Sequence, residues 1–364
     1  MINFYNPVIK KKEVQILNRT VKAGWISSQG KVVREFEKKF ASWHKVKFAI
    51  STSNCTTALH LSLLALDIGP GDEVICTNLT FIAPANMISL TGAKLILVDV
   101  DLKTFSMNTK KVENKINKKT KAIMVVHPFG HPADILELKK IAKKNNLKII
   151  EDVAESIGAK YKNKLCGTFG DISCFSFFAN KVMTTGEGGM ILTNNKKFFQ
   201  KAKLLRDHGM NENKKYYHKL LGFNYRMTSM QAAIGIGQLM RLKKIIIEKE
   251  VIKNHYKIFL NKKNFDIFPQ IKFKKSVEWF VTITFKKNNL RDKYIKYMKI
   301  KNIECRPMIF PVSFANHFKI KDEKKKFPNS YKISLNSVHL PSSIDLKKKN
   351  INYISNIINN WNYK

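Results

Sequence analysis

Between about residue 31 and residue 300 the apolar positions switch repeatedly between helical and strand-like spacing, which predicts an α/β fold. Val32, Val33, Phe36 and Phe40 recur at helical spacing, and Lys47–Ile50 reads as a short strand. Ser53 and Asn54 then precede a helix with Ala58, Leu61, Leu64 and Ala65 on one face. The turn Gly69-Pro70-Gly71-Asp72 leads into the run Val74–Cys76, and Leu95–Val98 predicts another buried strand. Ile123–Val126, a helix over Asp134–Lys144 and Leu147–Ile150 make a βαβ unit. Ile172–Phe177 and Met190–Thr193 predict two further strands.

Thr228 with Gln231 forms a capping box at the head of a long helix running towards Glu248. Val277, Trp279, Val281, Ile283 and Phe285 alternate, so Val277–Phe285 is expected as a half-buried strand. Helices are expected near Leu290–Ile300 and Asp345–Ile358. No Gly/Ser-rich linker separates the two regions, so a continuous helix should join them. The expected organisation is an arm over residues 1–30, a larger α/β domain over 31–248 and a smaller one over 249–364.

Composition changes this picture little. An apolar fraction of 44% supports a core without disulfides or metals. The five cysteines include no Cys-x-x-Cys pair, which argues against a zinc ribbon, a redox motif or a secreted framework, and no metal site is expected. Reduced thiols, the lack of a signal-peptide pattern at the N-terminus and the lack of a long apolar run lead to the expectation of a soluble, cytoplasmic protein without membrane insertion.

Charge is the odd quantity. The 66 Lys and Arg exceed the 27 Asp and Glu by 39, a balance that raises nucleic acid as a partner. Only 7 of the basic residues are Arg, the residue that reads bases by its bidentate fork. The lysines are spread over predicted helix faces and loops with no basic, aromatic-interleaved segment, so no specific nucleic-acid partner is expected.

Among so many lysines Lys181 stands apart by its place. It closes the run Cys174–Asn180 and precedes the glycine-rich return Gly186-Glu187-Gly188-Gly189, where an amine can be held partly desolvated for Schiff-base chemistry. A tight hairpin is the plainer reading of the same glycines. Asp152 ends a strand, where ligands of open α/β sheets lie and where an acid can pair with a protonated ring nitrogen. It could equally cap a following helix. Ser53–Thr57 at a helix start could receive a phosphate or make a simple cap. Phe81 could stack on an aromatic ring or pack in the core.

Taken together, Asp152-x-x-Glu155, Gly167-x-Phe169-Gly170-Asp171, Phe175-Ser176-Phe177 and Asn180-Lys181 with the glycine return resemble the sugar aminotransferases of the DegT/DnrJ family. The likeness begins at Gly24-Trp25-Ile26-Ser27-Ser28, passes through Gly222–Met227 and reaches Arg306-Pro307 and Leu340-Pro341. It implies a fold type I transferase with pyridoxal 5'-phosphate as cofactor: a large domain around a mixed, mostly parallel sheet, a small C-terminal α/β domain and a homodimer. By position, Lys181 would carry the cofactor and act as the catalytic base, and Asp152 would hold the ring nitrogen. Glu155 would lie near the ring hydroxyl and Phe81 against the ring. Ser176, Thr56 and the main chain at Cys55 would bind the phosphate, with Asn180 nearby and Asn224 reaching in from the other subunit. Trp25, Ser28, Glu187 and Arg306 would contact the sugar substrate.

His127–Asp134 and Arg206–Met210 look most like the perosamine synthase branch, which implies amino transfer from glutamate to C4 of GDP-4-keto-6-deoxy-mannose. A sister branch of dehydratases carries His in place of Lys181, so the lysine argues for amino transfer. Cys55 stands where many relatives have Gly, and Ser313 where they often have His. A UDP- or dTDP-linked keto sugar is the alternative substrate, and a non-catalytic regulator or nucleic-acid-binding protein the alternative of another class.

Overall fold

The structure, a computed structural model, describes residues 1–211, 213–214, 216–261, 263–267 and 273–361. Seven strands form the main sheet: β1 (Phe48–Thr52), β2 (Glu73–Thr77), β3 (Lys94–Val98), β4 (Thr120–Val126), β5 (Lys148–Asp152), β8 (Ile172–Ser176) and β9 (Gly189–Thr193). Their order is β1-β9-β8-β5-β4-β2-β3, and β6 (Lys160–Tyr161), β7 (Lys164–Leu165) and β11 (Lys274–Lys275) make a small separate sheet. Strands β8, β5, β4, β2 and β3 run parallel, while β9 is antiparallel to both of its neighbours. The sheet is thus mixed and mostly parallel, as the family resemblance implies.

Alternation sorts the buried strand residues onto the two faces. Val74, Cys76, Met124, Ile150, Cys174 and Ile191 pack on one side with the helices α3 (Cys55–Ala65) and α4 (Ala83–Leu90). On the other, Phe175 and Leu192 meet Phe36 and Phe40, while Ile75, Ile123 and Ile149 meet Leu138 and Ile141. Those partners come from α2 (Lys31–His44) and α6 (Ile135–Lys144), which follow α1 (Lys11–Lys22) and α5 (Thr109–Glu113) in the chain. The single apolar face expected for α3 is too narrow: Leu59 and Leu63 are buried as well, because β1, β8 and β9 lie against it beside α4 and α7 (Lys196–Arg206).

A second sheet, ordered β10-β12-β14-β13, comprises β10 (Phe265–Ile267), β12 (Val281–Phe285), β13 (Arg306–Pro307) and β14 (Ser337–Leu340). Its core draws on α9 (Leu242–Phe259), α10 (Arg291–Ile300) and α13 (Lys348–Asn359). The remaining helices are α8 (Ser229–Met240), α11 (Glu323–Lys326) and α12 (Pro328–Asn336). The chain's first residues cross to this region: Ile2 bridges Ile303, and Phe4 packs against Phe280. Residues 262, 268–272 and 362–364 of the 249–364 stretch lie outside the described residues.

Two expectations change. The long helix towards Glu248 breaks at Arg241, which ends α8 with φ −109° and ψ 8° before α9 begins. There Arg241 turns to pair with Glu13 of α1 at 2.5 Å, so the break follows a contact with the N-terminal segment. The expected strand over 277–285 is a strand only from Val281, and Glu278 and Phe280 are as buried as their neighbours. Glu278 accepts burial because His131 and Lys253 meet it inside.

Candidate active site

Parallel β5 and β8, with the turn after β9, bring the predicted residues to one end of the main sheet. Val126, Asp152 and Cys174 share a row across β4, β5 and β8. Ser176, Gly189 and Thr52 share another across β8, β9 and β1. The connection from Phe177 to Gly188 is therefore the long return of an antiparallel pair, and Lys181 sits on it. The turn is fixed from inside, since Lys181 donates its main-chain N–H to Phe178 and Thr185 donates to Phe177, both at 2.9 Å.

The Lys181 side chain is only 11% exposed. Its ammonium lies 3.7 Å from Glu155 Oε1 and 3.6 Å from the centroid of the Trp279 ring. The Phe129 N–H donates to the other Glu155 oxygen at 2.8 Å. Burial pushes the Glu155 carboxyl up, and Lys181 and the Phe129 N–H oppose it. Asp152 is raised by burial too, against the Ala154 N–H on Oδ1 at 2.9 Å and the charge of Lys181. No helix follows Asp152, so capping does not account for it.

At α3 the cap is real: Asn54 Oδ1 accepts from Thr57 N–H at 2.9 Å. The N–H groups of Cys55 and Thr56 belong to the same first turn, where a helix has no internal acceptors and favours an anion. Gly189 closes the cradle, since a Cβ there would run into the carbonyl of Asn54. Phe81, placed after β2, is 60% exposed and so is not a core residue. Asn180 Oδ1 is buried without a hydrogen-bond partner.

These features fit pyridoxal phosphate. A helix end and Ser176 suit the phosphate, a buried carboxyl at a strand end suits a protonated ring nitrogen that would supply it with a counter-charge, and a shielded lysine suits the aldehyde.

The other predicted residues lie elsewhere. Trp25 is 62% exposed beside a groove of about 820 Å³ lined by residues of α1 and α2. Ser28, Asp207 and Arg226 line a neighbouring groove of about 910 Å³. Asn224, exposed, accepts from Arg226 Nε at 2.9 Å, so it shares that surface. Glu187 is exposed on the glycine return, and Arg306 is exposed on β13 over the Phe4 ring. Sequence reasoning missed two residues that grip Lys181. Trp279 supplies the ring, and its Nε1 donates to the Asn180 carbonyl at 2.7 Å. Tyr5 donates its hydroxyl to the Lys181 carbonyl at 2.9 Å.

A mixed α/β sheet carrying a lysine, an acid and a helix N-terminus suited to an anion at one end fits a transferase that works through a carbonyl cofactor. The chain belongs to the DegT/DnrJ/EryC1/StrS aminotransferase family, whose model matches residues 7–359. It is 41% identical over 366 residues to the GDP-perosamine synthase of Escherichia coli O157:H7, covering 99% of this chain and 98% of that one. The GDP-perosamine synthase of Vibrio cholerae is 37% identical, with 99% of each chain covered. The fold matches Helicobacter pylori PseC, an aminotransferase involved in pseudoaminic acid biosynthesis, with a TM-score of 0.92 at 24% identity over 98% of each chain.

Proposed function

We propose that this chain uses pyridoxal 5'-phosphate to transfer an amino group from glutamate to C4 of GDP-4-keto-6-deoxy-mannose, giving GDP-perosamine. The observation that carries the substrate is the 41% identity to a GDP-perosamine synthase along essentially the whole chain, with a shielded lysine at the site.

When bound, the cofactor supplies an aldehyde that takes the amine and a ring that withdraws electrons from the reacting carbon. Lys181 would hold the cofactor, and its Nζ would serve as the base that takes the proton from the substrate carbon. Asp152, as a carboxylate, would pair with the protonated ring nitrogen, and Glu155, beside the Lys181 amine, would lie near the ring hydroxyl. Ser176, Thr56 and the Cys55 main chain would hold the phosphate, Asn180, whose amide oxygen is buried without a partner, would line the site beside Lys181, and Phe81 would stack on the ring. Trp25, Ser28, Glu187 and Arg306 are the sugar-side contacts of this reading.

Two sites in a homodimer complete it. Asn224 reaches the phosphate of a second copy, a reading supported by its exposure and by the surface it shares with Ser28. The arm over residues 1–30 and the 31–248 and 249–364 domains are the units of this assembly.

The test follows cofactor absorbance through the half-reactions. The protein is loaded with pyridoxal phosphate, treated with glutamate, freed of it, and given GDP-, UDP- and dTDP-linked 4-keto-6-deoxy sugars separately. Absorbance falls with glutamate and returns fastest with the GDP sugar. Return with another nucleotide alone overturns the substrate, and no spectral change overturns the reaction class.

A further inference from the structure

Helix α9 buries two lysines one turn apart, Lys249 at 1% and Lys253 at 2% exposure. Burying an ammonium is costly unless it is paired. Lys253 has its pair, for its Nζ meets Glu278, which also takes His131 at 3.1 Å. Lys249 is different. Its Nζ donates to two main-chain carbonyls, Trp279 at 2.9 Å and Ser342 at 2.7 Å, and lies 5.0 Å from the centroid of the Tyr5 ring.

Both routes from Lys249 lead to the same place. Trp279 sets its ring over the Lys181 ammonium and ties its Nε1 to the neighbouring Asn180 carbonyl. Tyr5 holds the Lys181 carbonyl from the N-terminal arm. Each of these two residues, remote in sequence from the Phe177–Gly188 return, touches Lys181 and is itself touched by Lys249. The flanking backbone is pinned as well, since Val277 N–H donates to the Gly130 carbonyl at 3.0 Å and Glu278 is held by His131 and Lys253.

We propose that Lys249 is a positioning residue for Lys181, locking the Trp279 main chain and the Tyr5 ring in the arrangement that seats the reactive amine beside Glu155. This rests on the reading of Lys181 as the lysine that carries the cofactor. A methionine would fill the same volume without the cost of a buried charge. What only the lysine supplies is a set of donors aimed at fixed carbonyls.

The experiment uses the cofactor-free full-length protein and reads the rate at which it captures pyridoxal phosphate covalently, by absorbance after mixing. Lys249→Met is expected to slow capture and to lower kcat, each about ten- to hundredfold, as a displacement near 1 Å of a reacting group does. Thermal unfolding should stay within a few degrees of the wild type, since removing a buried charge offsets the two carbonyls left without a donor, and KM for glutamate should stay within about twofold, because uniform binding is untouched. Wild-type capture and kcat in Lys249→Met overturn the proposal.

If Lys249→Met does not fold, Tyr5→Phe and Trp279→Phe decide, since each removes one hydrogen bond to the return while keeping a ring. Slower capture in both supports the proposal, and wild-type capture in both overturns it. Lys181→Ala separates the two claims. If that variant still captures the cofactor covalently and turns over, the reading of Lys181 fails. If it is inert while Lys249→Met behaves as wild type, the positioning role alone fails.

Discussion

Trp279 covers the amine of Lys181, with the ammonium 3.6 Å from the centroid of the indole and 3.7 Å from Glu155 Oε1. The ring face and the carboxylate both attract a cation at this position. Lys181→Arg tests which property matters. The guanidinium keeps the charge and the contacts but does not deprotonate to a nucleophilic amine. Both Lys181→Arg and Lys181→Ala should unfold thermally as the wild type does and show no amino transfer. A Lys181→Arg enzyme with near-full turnover would remove the lysine from the chemistry.

The second prediction concerns the cradle at α3. Gly189 pairs with Thr52 on one side and Ser176 on the other, and its missing side chain lets the Asn54 carbonyl approach. Gly189→Ala must push the first turn of α3 away from the sheet, because the obstacle is backbone rather than a flexible side chain. The fold costs about 1–3 kcal/mol, as overpacking usually does. The sharper effect is on the phosphate, so the cofactor should dissociate at least about tenfold faster, measured by dilution and loss of absorbance. Unchanged dissociation would place the phosphate elsewhere.

Glu151, adjacent to Asp152, gives a third. The carboxylate is wholly buried and accepts from four donors: His127 Nε2 at 3.0 Å and the N–H groups of Gly167, Phe169 and Gly170 at 2.8, 2.7 and 2.6 Å. Ala133 N–H donates to His127 Nδ1, which leaves the ring proton on Nε2, facing Glu151. Burial raises the carboxyl, but His127 and the main-chain donors prevail and hold it below its ordinary 4.5. A depressed carboxyl stabilises the fold above its unfolded value, and that contribution is lost as pH falls through the folded value. Glu151→Gln turns one acceptor into a donor facing N–H groups and should cost about 3–5 kcal/mol. Urea unfolding reads the loss, and the gap between variant and wild type should narrow as pH drops below 4.5. A gap that holds constant with pH would mean the carboxylate is not the source.

Much of this site was legible because its parts are local. A lysine ahead of a glycine return and an acid ending an apolar run announce themselves in a few residues each, and the structure places Lys181, Glu155, Asp152 and the α3 end at one end of the main sheet. Trp279 was not legible. Its alternation with Val277 and Val281 reads as a strand face, yet its position is set by Gly130, His131, Lys249 and Lys253, which no local pattern connects to it. The break at Arg241 was hidden for the same reason. Neither Gly nor Pro marks it, and the cause lies at Glu13, more than two hundred residues earlier.

Lys249 provides the last prediction, one of stability rather than activity. Burial brings this lysine down from 10.5 to about 7, with Glu278 opposing. Between about 7 and 10.5 the unfolded chain therefore holds a proton that the folded chain has released. Stability rises with pH wherever the unfolded state binds more protons, so this group alone contributes a slope of up to about 1.4 kcal/mol per pH unit across that window. Below about 7 both states are protonated, and the cost of the buried charge is constant. Lys249→Met has no proton to gain. Measured by urea unfolding across the window, its stability relative to the wild type should be highest at the acid end and should fall as pH rises towards 10.5. Parallel curves would mean that Lys249 keeps its proton throughout, with the Trp279 and Ser342 carbonyls and the Tyr5 ring stabilising the charge enough to offset its burial.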